Sequence, residues 1–262
     1  MITPSQSSRW LDAVPARHSR RSYTGEPVPP EQLAPLEALA AAFRPWPDAR
    51  AMLVREAPAS IFLGIIGSYG GISGAPSAIV LVGSHDVAAE RIGYTGEALV
   101  LEATALGLDT CWVGGFFSPG ATKDLVEYAA DERVYAVIPI GIAEGHVSRK
   151  ERLLFGAGHE KRRRPTDEIA PGWESWPVWA RRGVVAARVA PSAMNREPWR
   201  LALGRDHSVS MSFHGPDMPR LSKRLDCGIA MLHFELGAAA EGVSGVWEQL
   251  ESPSVGRFVA GE

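Results

Sequence analysis

Cysteine is scarce in this 262-residue chain: there are two, Cys111 and Cys227. That count excludes a disulfide framework and a Cys-rich zinc site. The seven histidines show no close ligand spacing with cysteine or carboxylate, and His207 with His214 makes an unconvincing pair, so no metal is expected. An excess of one charge is missing too. With 27 Lys and Arg against 30 Asp and Glu, the net charge is −3, and no overall field draws the chain to nucleic acid or an anionic membrane. The longest stretch without Asp, Glu, Lys, Arg or His, residues 57–84, is broken by Gly64, Gly67, Gly70, Gly71, Gly74 and Pro76. It therefore reads as a short helix, a loop and a strand at residues 78–83 rather than a membrane span. No basic start followed by an apolar core marks a secretory signal, so a cytoplasmic location is expected. A Gly-x-Ser-x-Gly nucleophile elbow is absent, and Gly156-Ala-Gly158 lacks the third glycine and preceding strand of a dinucleotide fingerprint.

What is present is a hydrophobic content of 45%, enough to bury one large or two small cores. Pro29-Pro30-Glu31 opens a helical run through Leu33, Leu36 and Leu39 that stops near Pro45 and Pro47, because proline cannot extend it. Strand-like 51–54, the strand at 78–83, a long helix at 87–106, strand-like 110–113, a helix from Pro119 to Ala129 and a strand at 134–140 follow. After a charged, then Pro- and Trp-rich crossover at residues 146–176, the pattern resumes. Helical 179–189 leads through a loop to strands 199–203 and 209–213 and a second long helix at 225–241. This half is the shorter, with no evident counterpart of the last helix and strand.

A fixed offset links the two halves, as a duplication requires. Gly107-Leu-Asp-Thr-Cys-Trp112 follows the first long helix and Gly242-Val-Ser-Gly-Val-Trp247 follows the second, with both ends displaced by 135 residues.

Four segments can carry chemistry. Arg17, Ser19 and Arg21 alternate, so on extended backbone they share one side and could give a phosphate two guanidiniums and a hydroxyl. Taken alone, the row is as well read as a solvated basic segment. Lys161-Arg162-Arg163-Arg164-Pro165 is a second basic group, also readable as a solvated run. Trp112-Val113-Gly114-Gly115-Phe116 places two glycines after a strand, either as a tight turn or where a flat ligand needs close approach to backbone N–H groups. Ala190-Pro-Ser-Ala-Met-Asn-Arg-Glu-Pro-Trp199 is a turn-rich polar loop that runs into a strand.

Together these segments resemble the nitroreductase family of FMN enzymes. The last matches the family's Pro-Ser-x-x-Asn-x-x-Pro-Trp flavin loop, the first its Arg-x-Ser-x-Arg phosphate motif, the second its Lys-x-Arg-x-Pro ending, and the glycine pair its turn beside the isoalloxazine ring. In the family the flavin loop follows the phosphate motif closely, whereas here they stand at opposite ends of the chain. The family's glutamine before Pro-Trp is Glu197. The resemblance implies an α+β fold, a mostly antiparallel sheet flanked by helices, in two fused homologous halves packed like a nitroreductase dimer. The halves are residues 1–165, with the phosphate clusters and glycine turn, and 166–262, with the flavin loop.

It further implies one FMN per chain held by Arg17, Ser19, Arg21, Val113, Gly114, Gly115, Lys161, Arg163, Pro191, Ser192, Ala193 and Asn195. The activity implied is NAD(P)H-dependent, ping-pong reduction of an electrophilic small molecule, of nitroaromatic or quinone type. No catalytic side chain follows, since the hard chemistry belongs to the cofactor. Tyr69 could face the ring or serve as an ordinary core or surface tyrosine. A chain containing both halves of the family dimer suffices as a monomer, with a small-molecule acceptor as partner and neither nucleic acid nor membrane. A flavin-binding protein for storage or sensing, without turnover, would use the same motifs.

Overall fold

The computed structural model describes residues 2–62, 71–115, 117–145, 163–216 and 218–261. Tyr69, Phe116 and Lys161 lie outside these. The chain divides into two compact units that are not separated by one cut in the sequence. The N-terminal unit comprises Ala13–Val87 and Ala98–Lys161; the C-terminal unit comprises Met1–Asp12, Ala88–Glu97 and Arg162–Glu262.

In the N-terminal unit, strands β1 (Ala49–Val54), β2 (Ser77–Ser84), β3 (Asp109–Thr110) and β4 (Glu132–Gly141) form an antiparallel sheet in the order β1-β2-β4-β3. The β-branched run Ile79-Val-Leu-Val82 is fully buried, so β2 shows no alternation and lies centrally, as a strand covered on both faces should. Edge strand β1 alternates only at its start, with Ala49 and Ala51 buried, and Val54 at its end is buried out of phase with them, packed with Val80 and Val82. Helix α2 (Pro30–Ala42) turns Leu33, Leu36 and Ala40 inward and packs on β1. Tyr23, Ile61, Phe62, Ala75, Ala78 and Val137 form one core cluster.

The expected helix from Pro119 to Ala129 is shorter: α4 spans Pro119–Lys123, N-capped by the Ser118 hydroxyl, which accepts from the Ala121 N–H. Beyond it Val126 is buried against Val54, Val80 and Val82, with Leu125 packed on the same cluster; tertiary burial overrides the helical pattern.

The C-terminal unit repeats this sheet. Strands β5 (Trp199–Leu203), β6 (Val209–Phe213), β7 (Gly245–Gln249) and β8 (Ser254–Ala260) are antiparallel in the order β5-β6-β8-β7. In both sheets the first two strands precede a long helix and the last two follow it. Those helices are α3 (Ala89–Ala105) and, with the short α5 (Thr166–Ile169) and α6 (Val178–Arg188) intervening, α7 (Lys223–Ala239). Strand β8 corrects the expectation that this half lacks a last strand. Its Gly256-Arg257 centre broke the apolar alternation, yet the glycine has a packing reason, since a Cβ there would stand 3.2 Å from the Trp247 ring. Against the sheet, Phe234 of α7 sits 5.4 Å from Phe258 and 5.7 Å from Trp247, ring centre to ring centre.

The first part of α3 also belongs to this unit, and it crosses α7 at two glycines. A Cβ on Gly93 would lie 2.0 Å from the Leu225 carbonyl oxygen, and one on Gly228 would lie 1.9 Å from that of Glu90. Glu90 with Leu225, and Gly93 with Gly228, are pairs displaced by the same 135 residues as the glycine–tryptophan repeat. The crossing is thus reciprocal, like an isologous contact. Several of the polar groups buried along it are paired. Arg224 donates to both Glu90 oxygens at 2.6 and 2.8 Å, the Tyr94 hydroxyl donates to Glu235 at 2.7 Å, and fully buried Glu97 and His233 meet at 2.9 Å.

Candidate functional site

In the N-terminal unit the segment from Arg17 to Thr24 is extended. Arg17 closes a 3-10 turn, its N–H donating to the Val14 carbonyl at 3.3 Å. Ser19 then pairs in parallel with Thr110 and Ser22 with Ser73, while Tyr23 pairs antiparallel with Ala143. Arg20 N–H donates to Thr110 at 2.9 Å, and its guanidinium to the Glu144 carbonyl at 2.6 Å. Buried Tyr23 returns its hydroxyl to the Arg20 carbonyl at 2.8 Å, and desolvation holds that phenol well above its ordinary pKa. Arg20 is committed to the fold, while alternation sets Arg17, Ser19 and Arg21 opposite it. Ser19 is exposed, and the two arginines are half-buried.

The Ser19–Thr110 pairing brings this row beside the strand that continues into the glycine turn. Val113 and Val137 exchange two backbone hydrogen bonds of 3.0 Å, which fixes the chain just before Gly114. Where Gly114 would carry a Cβ, no atom stands within 4 Å. The backbone there faces open space, as the approach of a flat ring requires.

In the C-terminal unit the loop at residues 190–198 joins α6 to β5. Three non-glycine residues in it, Met194, Asn195 and Glu197, have φ of 56°, 51° and 46°. That left-handed region is disfavoured for side-chain-bearing residues, so the loop needs outside restraint. Two buried carboxylates supply it. Asp226, in the first turn of α7, accepts from Ala193 N–H at 3.0 Å and from Arg196 at 2.9 and 3.3 Å. Desolvation raises its pKa, opposed by those same hydrogen bonds. Glu197 accepts from Arg163 at 3.2 Å and from Arg164 N–H at 2.9 Å, while its own N–H donates to the Ser192 hydroxyl at 2.9 Å. Arg163 donates further to the carbonyls of Ala190 at 2.7 Å and Val189 at 3.0 Å.

The structure therefore gathers Arg17, Ser19, Arg21, Val113 and Gly114 in one unit and Arg163, Pro191, Ser192, Ala193 and Asn195 in the other. The Ser192 hydroxyl oxygen accepts from Glu197 N–H. Asn195 is exposed and Ala193 half-exposed. Asp226 and Arg196 were not found from the sequence: an acidic residue in a first helical turn reads as a partner of the helix dipole, and nothing local says that it is buried. Glu197 was noticed only as a departure, without its partner.

Among the described residues no three His, Cys, Asp or Glu side chains gather as a metal site. No described helix is long and apolar enough to cross a membrane. An open hollow lined by Pro47, Asp48, Ser84, Ala129, Asp131 and Glu132 contains none of the candidate residues.

A family model described as "Putative TM nitroreductase" matches residues 10–238. Among solved structures, the chain is similar to a putative nitroreductase from Thermotoga maritima, with 21% identity over 95% of this chain and 93% of that one and a TM-score of 0.61. An FMN-dependent nitroreductase from Clostridium difficile (21% identity, 51% of this chain and 87% of that one, TM-score 0.43) and a nitroreductase with bound FMN from Bacteroides fragilis (16%, 53% and 91%, 0.43) match about half of this chain. No curated protein matches.

Proposed function

Since the chain belongs to the nitroreductase family, we propose that it is an FMN-dependent oxidoreductase that takes electrons from NAD(P)H and delivers them to an electrophilic small molecule of nitroaromatic or quinone type. The observation that carries this reading is the family match over residues 10–238, which spans all four motif segments at once.

The described residues suit the cofactor. Arg17, Ser19 and Arg21 would hold the phosphate, joined by Lys161 from outside the described residues; the backbone at Val113, Gly114 and Gly115 would face the ring, Gly114 beside open space. Pro191, Ser192, Ala193 and Asn195 would meet the ring edge or the ribityl hydroxyls. When bound, FMN supplies two-electron redox chemistry, and the chain supplies binding, orientation and exclusion of water. No side chain is assigned as nucleophile or base.

One FMN per chain is proposed, and a monomer is proposed to suffice because the chain contains counterparts of both halves of the family dimer. The shared strand order and the reciprocal α3–α7 crossing support this reading. A cytoplasmic location fits a nicotinamide donor.

An anaerobic absorption spectrum tests the reading. NADH or NADPH should bleach the oxidised flavin of the loaded protein, and a nitroaromatic or a quinone should restore it, with ping-pong kinetics in steady state. Flavin that binds but is reduced by neither nucleotide would favour storage or sensing. Failure to bind flavin would reject the proposal.

A further inference from the structure

We infer that Arg163 is a positioning residue that shapes the Pro191–Asn195 loop through Glu197, and that it is not a ligand of the flavin phosphate. The inference rests on the flavin-binding reading above and reassigns one residue within it.

The guanidinium spends three of its N–H groups on the neck of the loop, at Ala190, Val189 and Glu197. Its acceptor Glu197 is 3% exposed, and both oxygens of that carboxylate are occupied, one by Arg163 and the other by Arg164 N–H. A charge so placed needs its partner, because water is not there to replace it. Glu197 is also one of the three left-handed residues, and its N–H closes the loop onto Ser192. Arg163 therefore neutralises the group that fixes the loop's strained turn, while Asp226 anchors the other side at Ala193 and Arg196.

Without Arg163 the loop loses two carbonyl ties and leaves a buried carboxylate short of a partner. Its ligand-facing residues, Ser192, Ala193 and Asn195, then lose their preset geometry. Whatever they contact is bound more weakly, whether or not it carries a phosphate.

Riboflavin separates the two roles, since it has the ring and ribityl chain of FMN but no phosphate. Affinities of the intact chain and its variants for both flavins can be read from quenching of flavin fluorescence, with circular dichroism and Tm recorded alongside. Arg163→Ala and Glu197→Ala should each weaken FMN and riboflavin by the same factor, about tenfold. The double variant should bind no worse than the weaker single one, because neither partner is then left buried alone. Arg17→Ala should weaken FMN and leave riboflavin unchanged.

A loss for Arg163→Ala confined to FMN, or factors that multiply in the double variant, would overturn the inference and leave the flavin reading intact. If Arg163→Ala does not fold, Glu197→Gln carries the comparison: it keeps an acceptor oxygen but not the charge, and should weaken both flavins equally. No change in either flavin would overturn the inference. A wild-type chain that binds neither flavin would overturn the functional reading, and this inference with it.

Discussion

The β1–β2 connection of the N-terminal sheet runs through residues 55–76 and its β3–β4 connection through 111–131, whereas the C-terminal sheet makes the same joins with 204–208 and 250–253. The strand order is nevertheless identical. Between the preceding helix and the first strand the contrast reverses: the N-terminal unit has the plain Phe43-Arg-Pro-Trp-Pro-Asp48, and the C-terminal unit has a polar loop with three left-handed residues, held by the buried carboxylates of its own Glu197 and of Asp226 on α7. Each unit is elaborate where the other is plain. The sheet and helix crossing stay near their common form because packing constrains both copies alike, while connections can diverge at little cost to stability.

The largest effect should come from the glycines of the crossing. Gly228→Val, and Gly93→Val at the matching position, would drive a side chain into a backbone carbonyl that a Cβ alone already meets at 1.9 or 2.0 Å. Each should cost about 3 kcal/mol or more, seen as a large fall in the midpoint of denaturant unfolding or as failure to accumulate folded protein. Unfolding midpoints near wild type in both would remove the close crossing, and with it the reciprocity on which the repeat comparison depends.

Next is a pH effect peculiar to α7. Desolvation raises the Glu235 pKa from 4.5 to about 7, against the hydrogen bond from Tyr94, which lowers it. The folded state therefore holds this proton more tightly than the unfolded state, and stability contributed here falls as pH rises from about 4.5 through about 7. Glu235→Gln keeps an acceptor for Tyr94 but cannot ionise. Its stability relative to wild type should rise by roughly 2–3 kcal/mol between acid and pH 8. A constant difference across that range, in unfolding curves of both proteins, would contradict the account of Glu235.

Loss of one phosphate contact should be of similar or smaller size. Arg17→Ala is expected to weaken FMN by about 1.5–3 kcal/mol, on the order of tenfold to a hundredfold, measured by flavin titration. Unchanged affinity would remove the extended Arg17–Arg21 row from the site.

Smallest are the helix-terminal glycines Gly107 and Gly242, with φ of 79° and 77° and open space around both. Gly107→Ala and Gly242→Ala should each cost about 1–2 kcal/mol, a backbone term alone, and by matching amounts. A clear inequality between them would show that the two copies no longer share this terminus.

Much of this was legible in the sequence because the repeat is carried by residues with a backbone reason to be there. Gly107 and Gly242 mark left-handed helix ends, and β5 and β6 fall on the expected residues 199–203 and 209–213. Strand β8 was hidden by Gly256, which makes room for a tryptophan ring and so leaves no alternation to read. Helix α1 (Pro4–Ala13) and the assignment of the start of α3 to the C-terminal unit were hidden for another reason: both depend on contacts distant in sequence. At the candidate site, short motifs picked out the loop and the basic row by residue type. The ties that set the loop, from Arg163 to Glu197 and from Asp226 to Ala193, span 34 and 33 residues and leave no local pattern.

The proposal that one chain holds one cofactor is tested most directly by stoichiometry. Apoprotein of known concentration, titrated with FMN and followed by flavin fluorescence, should saturate at one FMN per chain. Saturation at two per chain would mean that each repeat keeps a site of its own, and saturation at one per two chains would mean that the site needs a second copy; either result contradicts the account.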